Sequence, residues 1–257
     1  MNDFAIKILT AKIGCTYLFY AGQAGFILRS KSGQTLAIDL YLSDCGERFE
    51  GSIGFKRLLP RMLNPQDIVF DYIIATHPHF DHYDVDSMPL MMSNPHTRLF
   101  ASVDCKKFVD ETSLDEDRIT YVKPYDICHA SDFTLFFINC DHGKLAPDAV
   151  GVIIEVDGKR IMITGDTCLR LDRKDEYLSK GALDLMIAPI NGAYGNLNEN
   201  DCVELSVALQ PKLTIPCHYG LFATHKGLPG LFMERMNSQC PNNKYTLMTI
   251  GESLILQ

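Results

Sequence analysis

The segment from Asp71 to His82, Asp-Tyr-Ile-Ile-Ala-Thr-His-Pro-His-Phe-Asp-His, constrains this chain more than any other. An apolar, β-prone run, Tyr72 to Ala75, leads directly into three histidines and one aspartate. Side chains two residues apart in an extended backbone point to the same side, so His77, His79 and Asp81 are expected to share one face. The pattern predicts a strand that delivers a polar cluster.

This cluster suits a pair of metal ions. Two imidazoles can bind one ion, and Asp81 with His82 can bind a second ion beside it. For His82 to contribute the chain must turn, and Asp81 is expected to cap a short helix from about His82 to Pro89. Imidazole and carboxylate ligands suit Zn, Mn or Fe, and the lack of cysteine argues against a closed structural zinc site. A histidine-rich surface loop is the alternative, which the preceding apolar strand disfavours.

Composition predicts one domain over residues 1–257. The length and the apolar content of 46% allow a substantial core, and no linker-like or repetitive tract divides the chain. The N-terminal residues lack a secretion signal, and no apolar run approaches the roughly 18 residues needed to span a membrane. Nine scattered cysteines without a Cys-X-X-Cys pair indicate thiols in a reducing compartment, so we expect a cytoplasmic protein.

The formal net charge of −8 disfavours general nucleic-acid binding, because a phosphate backbone is usually met by a basic surface. It is compatible with a small anionic substrate. No membrane partner is expected, and a homo-oligomer is compatible with the sequence.

Hydrophobic patterns and turn signals predict strands alternating with helices, which gives an α/β or α+β fold. A helix is expected around Phe55 to Met62, where Arg57 and Arg61 are either exposed charges or substrate contacts. Other helices are predicted at Val103–Glu111, at 200–209 with Asn200 as cap, and at Leu228–Met236. Strands are predicted at Ala5–Leu9, Thr16–Tyr20, Phe26–Arg29, Thr35–Leu40, Arg98–Ala101, Ile119–Val122, Phe133–Asn139, Val152–Val156, Arg160–Thr164, Leu183–Ala188, from Leu213 and at Tyr245–Ile250.

Three more candidate ligands follow predicted strands. His142 comes after Phe133–Asn139, Asp166 follows Gly165 at the end of another apolar strand, and His218 ends the strand that starts at Leu213. An aspartate has two oxygens with which to bridge two cations. Each of these signals is weak alone, since strand-end histidines and Gly-Asp turns are common.

The run Thr76-His77-Pro78-His79-Phe80-Asp81-His82 resembles the Thr-His-X-His-X-Asp-His motif of the metallo-β-lactamase-fold superfamily. Residues 22–26, 38–43 and the sequence Pro-Asp-Ala-Val-Gly at 147–151 look most like its L-ascorbate-6-phosphate lactonase branch. The resemblance covers most of the chain but is concentrated in the ligand motifs. It implies a four-layer αβ/βα sandwich.

The resemblance also implies a ligand set for two divalent ions, with Zn or Mn favoured and Fe as a third choice. His77, His79 and His142 would bind one ion, Asp81, His82 and His218 the other, and Asp166 would bridge them. A hydroxide held between the ions would be the nucleophile, and Asp81 would act as the catalytic carboxylate that orients it.

The leading hypothesis is therefore a metal-dependent hydrolase of a small molecule, resembling lactonases that act on a phosphorylated sugar lactone. Polar residues after two predicted strands are candidate substrate contacts, with ordinary loop polarity as the alternative: Asn191, Tyr194, Tyr219, His225 and Lys226. The alternatives are a two-metal phosphodiesterase or nuclease, a di-iron oxidoreductase and a non-catalytic binding protein.

Overall fold

A computed structural model describes residues 1–144 and 146–256. The α-helices are Asp3–Leu9 (α1), Cys45–Glu50 (α2), Met88–Met91 (α3), Lys106–Thr112 (α4), Lys174–Tyr177 (α5), Glu199–Leu209 (α6) and Pro229–Gln239 (α7). The strands are Thr16–Gly22 (β1), Gly25–Arg29 (β2), Thr35–Ile38 (β3), Tyr72–Ala75 (β4), Arg98–Ser102 (β5), Ile119–Val122 (β6), Ile127–Ala130 (β7), Phe133–Asn139 (β8), Val150–Val156 (β9), Lys159–Ile163 (β10), Leu185–Pro189 (β11), Leu213–Cys217 (β12), Lys244–Tyr245 (β13) and Ser253–Leu256 (β14).

The chain divides into two compact units, and the expectation of one domain stays a prediction. Unit 1 contains residues Met1–Val122, Leu221–Thr224 and the C-terminal part from Met248; unit 2 contains Lys123–Gly220 and His225–Leu247.

Unit 1 is built on a sheet of order β14-β1-β2-β3-β4-β5-β6. The first four strands pair antiparallel, and β3 to β6 pair parallel. Parallel neighbours end at the same edge of a sheet, so the residues after β3 and β4 lie side by side there. The amide of Asp39 donates to the carbonyl of Ile74 at 3.0 Å, which ties these two strand ends together.

The core of unit 1 forms where helices cover this sheet. Phe4 and Ile8 of α1 and Val109 of α4 join the buried strand residues Phe19 and Ile73 in one apolar cluster. The burial of such side chains at roughly 25 cal/mol per Å² of apolar surface is the main force that holds the sheet and helices together.

Unit 2 has a sheet of order β13-β12-β11-β10-β9-β8-β7. Strands β10 to β13 pair parallel, and β7 to β10 pair antiparallel. Asp157 and Gly158 join β9 to β10 in a hairpin, with φ values of 52° and 79°, as a type I′ turn requires. Helices α6 and α7 contribute Val203, Phe232 and Met236 to the core of this unit.

Most of the predicted strands are confirmed within a few residues, but three local predictions are wrong. Residues 5–9 belong to a helix because Phe4, Ala5 and Ile8 are buried at helical spacing and Asn2 caps it by accepting from the Ala5 amide. The segment around Phe55–Met62 is irregular, and the helix lies earlier, at α2. Of the predicted last strand, Tyr245–Ile250, only Tyr245 lies in a strand (β13), and β14 begins later, at Ser253.

Two smaller predictions also differ. Asp81 caps no helix at His82, and the next helix in the chain starts at Met88. The cap of α6 is Asn198 instead of Asn200, with Asp201 completing a capping box. None of the helices in residues 1–144 and 146–256 has the length and apolar character needed to cross a membrane.

The fold class is confirmed, since the structure is a mixed α/β protein with two many-stranded sheets.

Candidate metal centre

In unit 1 the His77–His82 segment follows β4 directly and folds into a tight turn. The amides of His82 and Tyr83 both donate to the carbonyl of His79, at 2.9 and 2.8 Å. This turn returns His82 toward His77, and their ring centroids are 3.9 Å apart. The sequence predicted that the chain must turn here; the structure achieves the turn without a helix.

The nitrogen and oxygen atoms of this segment converge. His77 Nε2 and His79 Nδ1 are 3.0 Å apart, and His82 Nε2 lies 3.8 Å from Asp81 Oδ2. His77, His82 and Asp81 are buried, and His79 is partly exposed. Two imidazole nitrogens this close can share one cation, and an adjacent imidazole and carboxylate can share another.

Asp39 supports this cluster from the neighbouring strand end. Its carboxylate accepts from the Thr76 amide at 2.8 Å, from Thr76 Oγ1 at 2.7 Å and from His82 Nδ1 at 2.8 Å. A histidine that donates through Nδ1 presents Nε2 to a metal, which is the usual arrangement of metal-binding histidines. Asp39 thus selects the tautomer of His82.

Gln23 contacts the carboxylate of Asp81, the second proposed aspartate partner in this cluster. Its Nε2 donates to Asp81 Oδ2 at 2.8 Å, and the Gln23 side chain is fully buried. Gln23 has φ 57°, the left-handed region that a non-glycine residue rarely adopts. The strained turn between β1 and β2 places this amide beside Asp81.

Unit 2 gathers its three predicted ligands at strand ends. His218 Nε2 lies 3.2 Å from Asp166 Oδ2, and His142 Nε2 lies 3.9 Å from the same oxygen. All three residues are buried. The same oxygen of Asp166 is therefore close to both histidine nitrogens.

Gly165 allows Asp166 to reach this position. It has φ 64°, and a Cβ atom there would lie 2.8 Å from the carbonyl oxygen of Val150. The backbone of Gly165 therefore passes close to the adjacent strand β9, where a side chain would not fit.

Asn196 contacts the same carboxylate. Its Nδ2 donates to Asp166 Oδ2 at 2.7 Å. Next to His142, Arg170 Nη1 pairs with Asp141 Oδ2 at 2.7 Å and holds the pKa of that carboxyl below its usual range.

The candidate substrate residues lie in unit 2, close to His218. The His225 ring stacks on the His218 ring with centroids 4.8 Å apart, and Tyr194 packs on His225 at 5.7 Å. A Cβ atom at Gly227 would lie 2.6 Å from Tyr219 Cβ and 3.4 Å from Asn191 Cα, so the segments that carry these two residues adjoin. Lys226, between His225 and Gly227, is exposed.

Arg57 and Arg61 are not charges on a helix. Arg57 is largely buried, its Nη2 donates to the carbonyls of Tyr41 and Ser43 at 2.9 Å, and burial lowers its pKa. Arg61 is exposed and faces Asp44 at 3.8 Å. Arg57 therefore has a structural role that its isolated sequence position did not indicate.

These features define an α/β protein whose histidine and aspartate groups can hold metal ions. Residues 17–218 match the family model described as the beta-lactamase superfamily domain. The chain belongs to this superfamily, which confirms the family inferred from the Thr76–His82 motif. Its lactonase-like branch stays a prediction.

Several relatives of similar sequence are named metal-dependent hydrolases. A "UPF0173 metal-dependent hydrolase" of Enterococcus faecalis is 27% identical over 180 residues, covering 66% of this chain and 77% of that protein. One from Polynucleobacter asymbioticus is 24% identical over 262 residues, covering 94% and 86%.

Solved structures show the same fold. The metallo hydrolase Igni18 of Ignicoccus hospitalis has a TM-score of 0.73 at 20% identity, covering 94% of this chain and 98% of that one. An isothiocyanate hydrolase from Delia radicum gut bacteria has a TM-score of 0.74 at 19% identity, covering 94% and 99%. The diiron β-hydroxylase CmlA of Streptomyces venezuelae has 0.72 at 14%, covering 96% and 55%. At these identities the likeness is one of fold alone.

Proposed function

We propose that this chain is a metal-dependent hydrolase in which the clusters of the two units hold two divalent ions. His77, His79 and His142 would bind one ion, Asp81, His82 and His218 the other, and Asp166 would bridge them. The observation that carries this is the convergence of donor atoms within each unit, with His77 Nε2 and His79 Nδ1 3.0 Å apart and Asp166 Oδ2 within 3.9 Å of two imidazoles.

The donor set fits such ions. Five imidazoles and two carboxylates suit Zn or Mn, with Fe also acceptable. Asp39 already fixes His82 with Nε2 available in the tautomer that a metal requires. The named relatives, which are metal-dependent hydrolases, support the same conclusion.

Divalent ions bound there would make a water acidic enough to attack near neutral pH and would polarise the oxygen of the substrate's carbonyl or phosphoryl group. The chain supplies the orientation. Asp81, held by the Gln23 amide, is the proposed catalytic carboxylate: it accepts hydrogen bonds and can orient the attacking water.

The proposed substrate is a small lactone that carries polar groups, with a phosphorylated sugar lactone as the leading example. Asn191, Tyr194, Tyr219 and His225 come from segments that adjoin His218 and would contact the substrate's hydroxyl groups. Lys226, exposed beside them, would meet a phosphate as a point charge.

The first experiment is metal analysis of freshly purified protein, paired with hydrolysis of lactones and phosphodiesters before and after chelation. About two ions per chain, as in other two-metal sites, and lactone cleavage that a chelator abolishes are the expected results. Cleavage of phosphodiesters alone would favour the phosphodiesterase alternative. Iron without hydrolysis would favour an oxidoreductase, and protein that holds no metal would refute the proposal.

We also propose that the protein works in the reducing cytoplasm. All nine cysteines are free thiols. Free buried thiols are typical of such a compartment.

A further inference from the structure

Two buried side-chain amides contact the two carboxylates of the proposed centre, one in each unit. Asn196 Nδ2 donates to Asp166 Oδ2 at 2.7 Å, and Gln23 Nε2 donates to Asp81 Oδ2 at 2.8 Å. Asn196 is 7% exposed, and Gln23 is fully buried. Because an ionised carboxylate only accepts hydrogen bonds, each amide must present its NH₂ group, which defines the orientation of both partners.

Backbone contacts hold Asn196 in this position. Its own amide donates to the Ala193 carbonyl at 3.0 Å, and the next amide, that of Leu197, donates to the Thr167 carbonyl at 2.9 Å. The loop is therefore attached to the residue that follows Asp166. Gln23 is held differently: the Tyr20 hydroxyl donates to its carbonyl at 3.1 Å in a turn with positive φ.

We propose that Asn196 and Gln23 are positioning residues that set the affinity of the centre for its ions. This inference rests on the proposed function. A neutral amide fixes the rotamer of a buried carboxylate without cancelling its charge, whereas an arginine or lysine in the same place would compete with the cation. A charge-assisted hydrogen bond of this kind also uses one lone pair of the oxygen and leaves the carboxylate able to bind metal.

The two amides should act on different numbers of ions. Asp166 Oδ2 is close to both His142 and His218, which are proposed to bind different ions, so loss of the Asn196 contact should weaken the binding of both ions. Asp81 is assigned with His82 to one ion, so loss of the Gln23 contact should weaken only that one.

The test measures Zn²⁺ affinity of metal-free protein by competition with a chromophoric chelator. The variants are Asn196→Leu, which keeps the number and branching of the side-chain heavy atoms, and Gln23→Leu. Asn196→Ala serves if circular dichroism shows that Asn196→Leu is unfolded. The matched control is Asn198→Ala in the same loop, since the Asn198 side chain accepts from the Asp201 amide and caps α6.

We expect Asn196→Leu to lower the affinity for both ions by about 10- to 100-fold, the usual effect of removing a partner of a metal ligand. Gln23→Leu should lower the affinity for one ion by a similar factor. Asn198→Ala should lower the melting temperature with the affinity unchanged.

The inference is overturned if the folded Asn196 and Gln23 variants bind both ions within twofold of the wild type. It is also overturned if Asn198→Ala loses as much affinity, because the effect would then belong to the loop in general. Failure of the proposed function gives a different result: the wild-type protein itself would bind no Zn²⁺, and the inference would be overturned with it.

Discussion

The substitution Asp39→Asn tests whether unit 1 prepares His82, a proposed ligand, for a metal. Asp39 is 1% exposed, and its carboxylate accepts three hydrogen bonds of 2.7–2.8 Å from Thr76 and His82. Asparagine has nearly the same size and, like aspartate, tolerates the φ of 49° found here. The substitution therefore changes the hydrogen-bond chemistry and leaves the backbone in place.

An amide at this position cannot accept from all three donors. The Thr76 amide is an obligate donor, so the oxygen of the introduced side chain must face it, and the NH₂ group faces His82 Nδ1 instead. His82 would then move its proton to Nε2, the nitrogen expected to bind metal. Partners of this kind change metal affinity by about 10- to 100-fold, which corresponds to about 1.4 to 2.7 kcal/mol.

The metal-free protein should also be less stable. A hydrogen bond to a charged group contributes about 1.5–3 kcal/mol and a neutral one about 0.5–1.5 kcal/mol, so the free energy of unfolding should fall by about 1–2 kcal/mol. Denaturant titration measures this loss, chelator competition measures the metal affinity, and ¹⁵N NMR of the histidine ring reports the tautomer.

Asp84→Asn is the matched control. Asp84 is fully buried and accepts from the amides of Leu42 and Ser43 at 2.8 and 2.7 Å, and its hydrogen-bond partners in the described chain include none of the proposed ligands. It should lose stability and keep its metal affinity. Metal affinity of Asp39→Asn within twofold of the wild type, or an equal loss in Asp84→Asn, would refute the reasoning.

Three further predictions concern other parts of the chain. Lys226→Ala should raise KM for a phosphorylated lactone by roughly 10- to 100-fold, since a contact to a charged group contributes about 1.5–3 kcal/mol; an equal effect on an uncharged lactone would argue against phosphate binding. Gly151→Ala should lower the free energy of unfolding, measured by denaturant titration, by about 1–3 kcal/mol, because the new Cβ would lie 2.5 Å from the Thr164 carbonyl oxygen. The control Gly230→Ala, which has open space around the new Cβ, should leave the free energy of unfolding nearly unchanged. Burial and the Asp84 carboxylate raise the pKa of the Cys45 thiol to about 12. Because the folded state favours the neutral thiol, the contribution of Cys45 to the free energy of unfolding should be lost as pH rises above the ordinary thiol pKa of about 8.5. Mass spectrometry should show slow alkylation of Cys45 at pH 8 in folded protein and rapid alkylation after unfolding.

The sequence predicted best where one local signal decides the structure. The run Tyr72–Ala75 is apolar and β-prone, and it forms β4 with those bounds. Asp157-Gly158 favours a type I′ turn, and the hairpin is there. The prediction of a strand at residues 5–9 was wrong because a short apolar run fits either a strand or a helix. The choice of a helix depends on the Asn2 cap and on burial against the rest of unit 1.

The residues that contact the proposed ligands were harder to find from the sequence than the proposed ligands themselves. Asp39 meets His82 across 43 positions, Gln23 meets Asp81 across 58, and Asn196 meets Asp166 across 30. A ligand motif is compact and can be recognised from its spacing, whereas such a partner is defined only by the strand order that brings it near. Asp39 is an example: it reaches His82 because β3 and β4 are parallel neighbours that end together, and that pairing is known only from the structure.

Backbone conformation supplies the part of the site that no spacing pattern contains. Gln23, Asp39 and His218 have φ values of 57°, 49° and 63°, which for residues with a Cβ cost about 1–2 kcal/mol each. Glycine would relieve that strain at every one of these positions, but it would also remove the amide, the carboxylate or the imidazole that the site needs. Backbone propensity alone therefore favours glycine at positions where the structure has a side chain of the proposed site. The sheet of each unit must hold these residues in place, Gln23 and Asp39 in unit 1 and His218 in unit 2, and the stability of the two sheets is what makes the strained geometry of the proposed centre possible.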